Sequence, residues 1–190
     1  MRSTVARFFT VLGHPLILGT LYVVLMAQAS LPPKTALLVS LLVLGLVALP
    51  ITVHNLLKFK KGEYSNFDVS DQKQRKGFYP FALGLFLILL LLFFVFEFPT
   101  RVIYNTGNFF LMLLLMAFLN IKLKASLHAA VAFYAGTSIF GISSILGMLF
   151  IILAFGTSWS RLVLKKHNLM ELFIGSLMGL FFGIISLTLI

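Results

Sequence analysis

Five apolar runs of membrane-crossing length, near residues 8–28, 35–57, 79–98, 102–121 and 169–190, leave this chain few ways to fold. A backbone in hydrocarbon has no water to bond, so only helices and closed barrels can cross it. The alternating pattern of barrel strands is absent, and the runs therefore predict an all-α, polytopic transmembrane helical bundle. Pro32-Pro33 and Pro99 mark turns between them. The 190 residues hold these spans and short loops but no separate soluble domain, so residues 1–190 read as a single integral membrane domain.

Only 11% of the residues are charged, where soluble domains carry about a quarter. The formal net charge of +10 would point to nucleic acid in a soluble protein. Here the cations sit in short loops beside apolar spans, so lipid phosphate is the expected partner and nucleic acid is not. With no Cys, the chain has no disulfide, thiolate nucleophile or Cys-ligated metal. Arg2 and Arg7 before an apolar run resemble a signal sequence, and Ala27-Gln28-Ala29 a cleavage site. The run is longer than the roughly 7–15 residues of a signal core, so it reads as a retained first span. His14 beside Pro15 reads as a packing or interfacial residue that stabilises a bend in that span, and His54 likewise as packing or interfacial.

Residues 126–160 decide the topology. As a single span they would put His128 and His167 on opposite faces of the membrane. Small and polar residues, Gly136-Thr137-Ser138 through Gly141-Ile142-Ser143-Ser144, interrupt the apolar character. Two short helices, about 126–139 and 143–160, would be ~21 Å and ~27 Å long at 1.5 Å per residue. The expectation is a helical hairpin there, about six to seven helical segments in all, and both histidines on one face. That face would carry 13 of the 15 Lys and Arg residues, all but Lys34 and Arg101. By the positive-inside rule it would be cytoplasmic.

Three clusters share this face: residues 71–75 with Lys73 and Arg75, residues 124–128 with Lys124, Ser126 and His128, and residues 160–171 with Ser160, Arg161, His167 and Glu171. His167 and Glu171 are i and i+4 on a helix, so the carboxylate can orient the imidazole. One His can attack phosphorus, the other can protonate the leaving oxygen, and Arg or Lys can neutralise the equatorial oxygens. Ser126 and the N–H groups opening the helix after Lys124 could bond the phosphate. Lys165 and Lys166 read as cations flanking the membrane and stay outside the site.

These residues resemble the type 2 phosphatidic acid phosphatases, integral membrane lipid phosphatases that work without metal through a phosphohistidine. Ser160, Arg161 and His167 match the family's third motif, S-R-x5-H-x3-D, with Glu171 in place of Asp. Ala125-Ser126-Leu127-His128 keeps the Ser and His of P-S-G-H. The first motif, K-x6-R-P, fits poorly: Tyr79 precedes Pro80, and Gln72 stands at the Lys position. Residues 71–80, Gly13-His14-Pro15 and the Lys124-x-Ser-x-His pattern look like a divergent bacterial branch, which implies a bacterial inner membrane. The resemblance makes His167 the nucleophile, Glu171 its orienting carboxylate and His128 the general acid. Arg161 would clamp the phosphate, with Ser126, Lys124, Arg75, Lys73 and Ser160 assisting, and no cofactor would be needed.

Three other readings stand beside this one. A phosphotransferase would pass the phosphoryl group to an alcohol, and a catalytically silent relative would bind lipid or act as a scaffold. A metal site built from His128, His167 and Glu171 is chemically conceivable, but the surrounding excess of Arg and Lys opposes it. The residues single out no particular lipid, and they assign no oligomeric state.

Overall fold

The computed structural model describes residues 2–189, and they form helices joined by turns and one longer loop. In chain order these are α1 (Arg2–Leu12), α2 (Pro15–Ser30), α3 (Pro33–Lys60), α4 (Arg75–Val95), α5 (Thr100–Lys122), α6 (Leu127–Ile139), α7 (Ser144–Val163) and α8 (Leu169–Thr188). Five are long and apolar enough to cross a membrane, and the α1–α2 pair counts as a sixth span if taken together. Large side chains such as Phe94, Phe118, Phe155 and Ile145 face outward, which is stable against lipid and costly against water. The protein is a multi-pass helical membrane protein.

The segment expected as one helix over residues 8–28 is two helices, bent by 47° at Gly13-His14. His14 precedes Pro15, and a residue before proline is pushed out of the helical region; it is extended at φ −64°, ψ 130°. Gly13 presses against Thr157 of α7, where a Cβ would overlap the threonine side chain. The break therefore seats α1 on α7 and turns α2 across the bundle.

A π-helical turn over Leu44–Ala48 interrupts α3. Pro50 lies just beyond it and has no N–H to give, so the Leu49 N–H bonds back to Leu44 in the wider spacing.

The hairpin expected between Ser126 and Ser160 is present. α6 and α7 are antiparallel: Gly136 faces Ile151, Gly147 faces Phe140, and the Phe133 and Phe155 rings meet edge to face at 5.1 Å. At 13 residues α6 is short, about 20 Å by helical rise, and every residue from His128 to Ile139 is buried. It is the central post of the bundle, apolar on all sides as such a helix must be. Ser126 caps its start by accepting the Ala129 N–H.

α8 runs parallel to α6. Gly175, Gly179 and Gly183 lie along one face of α8, against the Ser126 carbonyl, the Ala130 carbonyl and Thr137 respectively. A side chain at any of the three would collide, so glycine is what permits this close approach. Asn168 opens α8 with a capping box, exchanging bonds with Glu171. The parallel pairing puts the N-termini of α6 and α8, with their partial positive charge, on the same face of the membrane.

Candidate functional site

Arg75, Asp68, His14, His128, Arg161, His167 and Glu171 come together where α2, α4, α6 and α8 begin and α7 ends. The residues form two linked groups.

His167 lies in the turn between α7 and α8. Its Nδ1 is 2.6 Å from the Glu171 carboxylate, and its Nε2 faces the Arg75 guanidinium at 3.4 Å. A guanidinium only donates, so Arg75 fixes Nε2 as the lone-pair nitrogen and Nδ1 as the one bearing hydrogen. Arg75 is itself held at two further points: Nε donates to the Val69 carbonyl at 2.9 Å and Nη1 to the Ala125 carbonyl at 2.7 Å. Burial pushes the His167 imidazole well below its ordinary range, and the positive charges of Arg75, Arg161 and Lys124 push the same way. A hydrogen bond to the Lys124 backbone opposes them without reversing the direction. The imidazole is therefore neutral at neutral pH, as a nucleophile requires.

The second group surrounds Asp68, which the longer loop, residues 61–74, carries into the bundle. The Arg161 guanidinium donates to Asp68 Oδ2 at 2.8 Å, His128 Nε2 lies 3.8 Å from the same oxygen, and His14 Nε2 lies 3.5 Å from Oδ1. Burial alone would raise the Asp68 carboxyl. The His14 hydrogen bond, the neighbouring His128 ring and the Arg161 guanidinium outweigh it and hold the group far below the usual carboxylate range. Arg161, which never loses its proton, is the partner that keeps Asp68 ionised at neutral pH. Val69, the next residue, is buried with φ at 47°, a left-handed conformation that a β-branched residue adopts only under strain. Its carbonyl is the one Arg75 grips, so the strained turn links the two groups and sets Asp68 in place.

Three buried polar atoms here have no hydrogen-bond partner: Arg161 Nε, Arg161 Nη2 and His128 Nε2. Arg161 is wholly buried. Unpaired buried donors cost about 1–3 kcal/mol each, more when charged, and an anion beside Arg161 would satisfy its free Nε and Nη2 groups. A small cavity of about 40 Å³ is lined by His14, Asp68, Arg75 and His128, and Arg161 is tied to its wall through Asp68.

Of the residues expected in the site, His167, Glu171, Arg75, Arg161 and His128 are in these groups. Lys124 borders them, its Nζ bonded to the Lys166 carbonyl at 3.0 Å. Three stand elsewhere. Lys73 is exposed on the loop. The Ser160 hydroxyl is spent between α1 and α7, on the Thr157 carbonyl at 2.6 Å and Thr10 at 2.8 Å. The Ser126 hydroxyl caps α6, and its N–H, expected to face a phosphate, goes to the Glu171 carbonyl at 3.0 Å.

Asp68 and His14 were not anticipated in the site. His14 caps α2: its Nδ1 accepts the Leu16 N–H at 3.3 Å, so Nε2 carries the proton that points at Asp68.

Among the described residues, His14, Asp68 and His128 are the one group close enough to hold a metal ion. They do not suit one: the His14 nitrogen that would ligate carries the proton, and Arg161 already neutralises Asp68. His128, His167 and Glu171 do not assemble into a ligand set; His167 and Glu171 pair with each other, apart from His128.

Comparison of the chain with protein-family models, curated proteins and solved structures gives no match. Fold and site alone define the class: a multi-pass helical membrane protein with a buried cluster of arginines, histidines and carboxylates at one end of its bundle.

Proposed function

We propose that this protein is a metal-independent lipid phosphatase that removes a phosphate or diphosphate from a membrane lipid through a phosphohistidine on His167. The observation that carries this reading is the tautomer of His167: Glu171 holds Nδ1–H, and the lone pair on Nε2 opens toward Arg75 among buried, partly unpaired donors. The likeness of residues 160–171 to the third motif of the type 2 phosphatidic acid phosphatases supports it independently.

In the first step Nε2 attacks phosphorus, a nitrogen–phosphorus bond forms, and the bond to the lipid oxygen breaks. That oxygen takes a proton from His128. Arg161 and Arg75 neutralise the equatorial oxygens as charge develops on them, and Glu171 stabilises the positive imidazole. In the second step a water oxygen attacks phosphorus, gives its proton to His128, and releases inorganic phosphate and neutral His167. Lys124 contributes positive potential at the rim.

The basic face is proposed as the cytoplasmic side of a bacterial inner membrane. A purified preparation in detergent, with chelator present, should release phosphate from at least one member of a panel of lipid phosphates, and His167→Ala should not. Equal release by the two proteins would refute the assignment.

A further inference from the structure

A second, larger cavity of about 170 Å³ runs among α2, α3, α4, α5 and α6. It begins beside the charged cavity: Pro15, Leu16, Ile51, Phe78 and Leu127 line both. Leu16 and Leu127 stand beside the N-caps that place His14 and His128 in the site. At the opposite end it reaches Ser30, Leu31, Phe93, Arg101 and Val102. It therefore follows α2 from its first residue to its last, 16 residues, or roughly 24 Å at helical rise. The π turn of α3 contributes Val47 and Ala48 to its wall. The wall is almost wholly apolar, and a cavity of this size and lining stays dry and takes up hydrocarbon.

We propose that this chamber holds a single extended hydrocarbon chain of the lipid whose phosphate lies between Arg161 and His167. The inference rests on the phosphate reading of the charged site. So small a volume spread over such a length leaves room for one chain in width. One leaflet of a bilayer is about 15 Å deep, half of a roughly 30 Å core, so the chamber carries a chain past the midplane. A long single-chain phosphate, of the prenyl or long alkyl kind, fits it; a glycerolipid with two chains leaves its second chain outside. The phosphate end is set by charge, because Arg75, Arg161, His14 and His128 gather at one mouth of the chamber while Arg101 is the single cation at the other.

Binding of hexadecyl phosphate, butyl phosphate and hexadecanol to the protein in nanodiscs, referred to empty nanodiscs, tests this. The chamber predicts that hexadecyl phosphate binds at least about 100-fold more tightly than butyl phosphate, since each buried methylene contributes. Ala82→Trp and Gly19→Leu, which fill the chamber from α4 and α2, should cut that ratio at least about tenfold while leaving butyl phosphate binding unchanged. Hexadecyl phosphate bearing a terminal diazirine should label wild-type protein near Phe93 and Val102, a readout that needs no variant. Labelling instead at outward residues such as Phe94 and Val95, equal binding of the two phosphates, or hexadecanol binding as tightly as hexadecyl phosphate would overturn the proposal. If neither phosphate binds, the phosphate reading fails and the chamber inference falls with it.

Discussion

Glu171 and Arg75 together decide which nitrogen of His167 keeps its proton, and the proposed reaction depends on that choice. Glu171→Gln keeps the shape but lets the side-chain amide donate to Nδ1, which favours the wrong tautomer; kcat should fall by roughly 10²- to 10⁴-fold with little change in KM. Because folding lowers the His167 pKa, the reactive neutral form persists as pH falls below the ordinary histidine range. The acid limb of kcat/KM should therefore lie below about pH 6.5, and a limb at or above that value would count against a buried, cation-flanked His167. Asp68 is held ionised by Arg161, so its stabilising contribution is present above about pH 3.9 and is lost as pH falls below that value. Asp68→Asn leaves Arg161 buried without its counter-charge and should cost about 3–5 kcal/mol in denaturation experiments. Added phosphate should recover part of that loss by pairing with the freed guanidinium, and no recovery would mean that Arg161 does not bind anions. Spacing anticipated the His167–Glu171 pair but not how it forms: His167 lies in the turn before α8 rather than on a helix, and Glu171 reaches it from the first turn of α8. Asp68 was not legible: its loop position gives no period, and only the fold carries it 93 residues along the chain to Arg161. His14 was legible only as a bend, since a histidine before proline says that a helix begins but not what its other nitrogen faces.

The α6–α8 pair is the element that brings the two groups together. Its glycines let backbone touch backbone, so the N-termini carrying His128 and Glu171 stay in register. Gly179→Ala puts a methyl group against the Ala130 carbonyl and should lower stability by about 1–3 kcal/mol while reducing turnover more than substrate binding. Thermal denaturation and steady-state kinetics on the same preparation check both parts. An unchanged melting temperature would mean that the pairing tolerates separation. The hairpin of α6 and α7 was readable in the small residues at 136–138 and 141–144. The first span was only half readable, because Gly13 and Pro15 mark a break but its angle depends on how closely α1 seats on Thr157. Ser126 and Ser160 show the limit of a motif: a hydroxyl near a phosphate pattern is as readily consumed by its own helix. The π turn in α3 left no pattern beyond Pro50.

On the scale of the whole molecule, the path of the helices gathers the basic loops at one end, with Lys34 and Arg101 at the other. Single cysteines introduced at exposed Lys73 and Lys34 should therefore react with a membrane-impermeant reagent from opposite sides of sealed vesicles. Labelling of both from one side would contradict the bundle. The hydropathy of the chain alone makes this architecture plain, because lipid permits so few alternatives. The chamber beside the site was hidden, since its walls come from five helices that are ordinary apolar spans one by one. Rapid acid or base quench of turnover on a lipid phosphate labelled at phosphorus tests the central claim most directly. The account predicts a protein-bound label that is stable to base, labile to acid, located on His167 and absent from His167→Ala. Continued turnover with no label on His167 would contradict it.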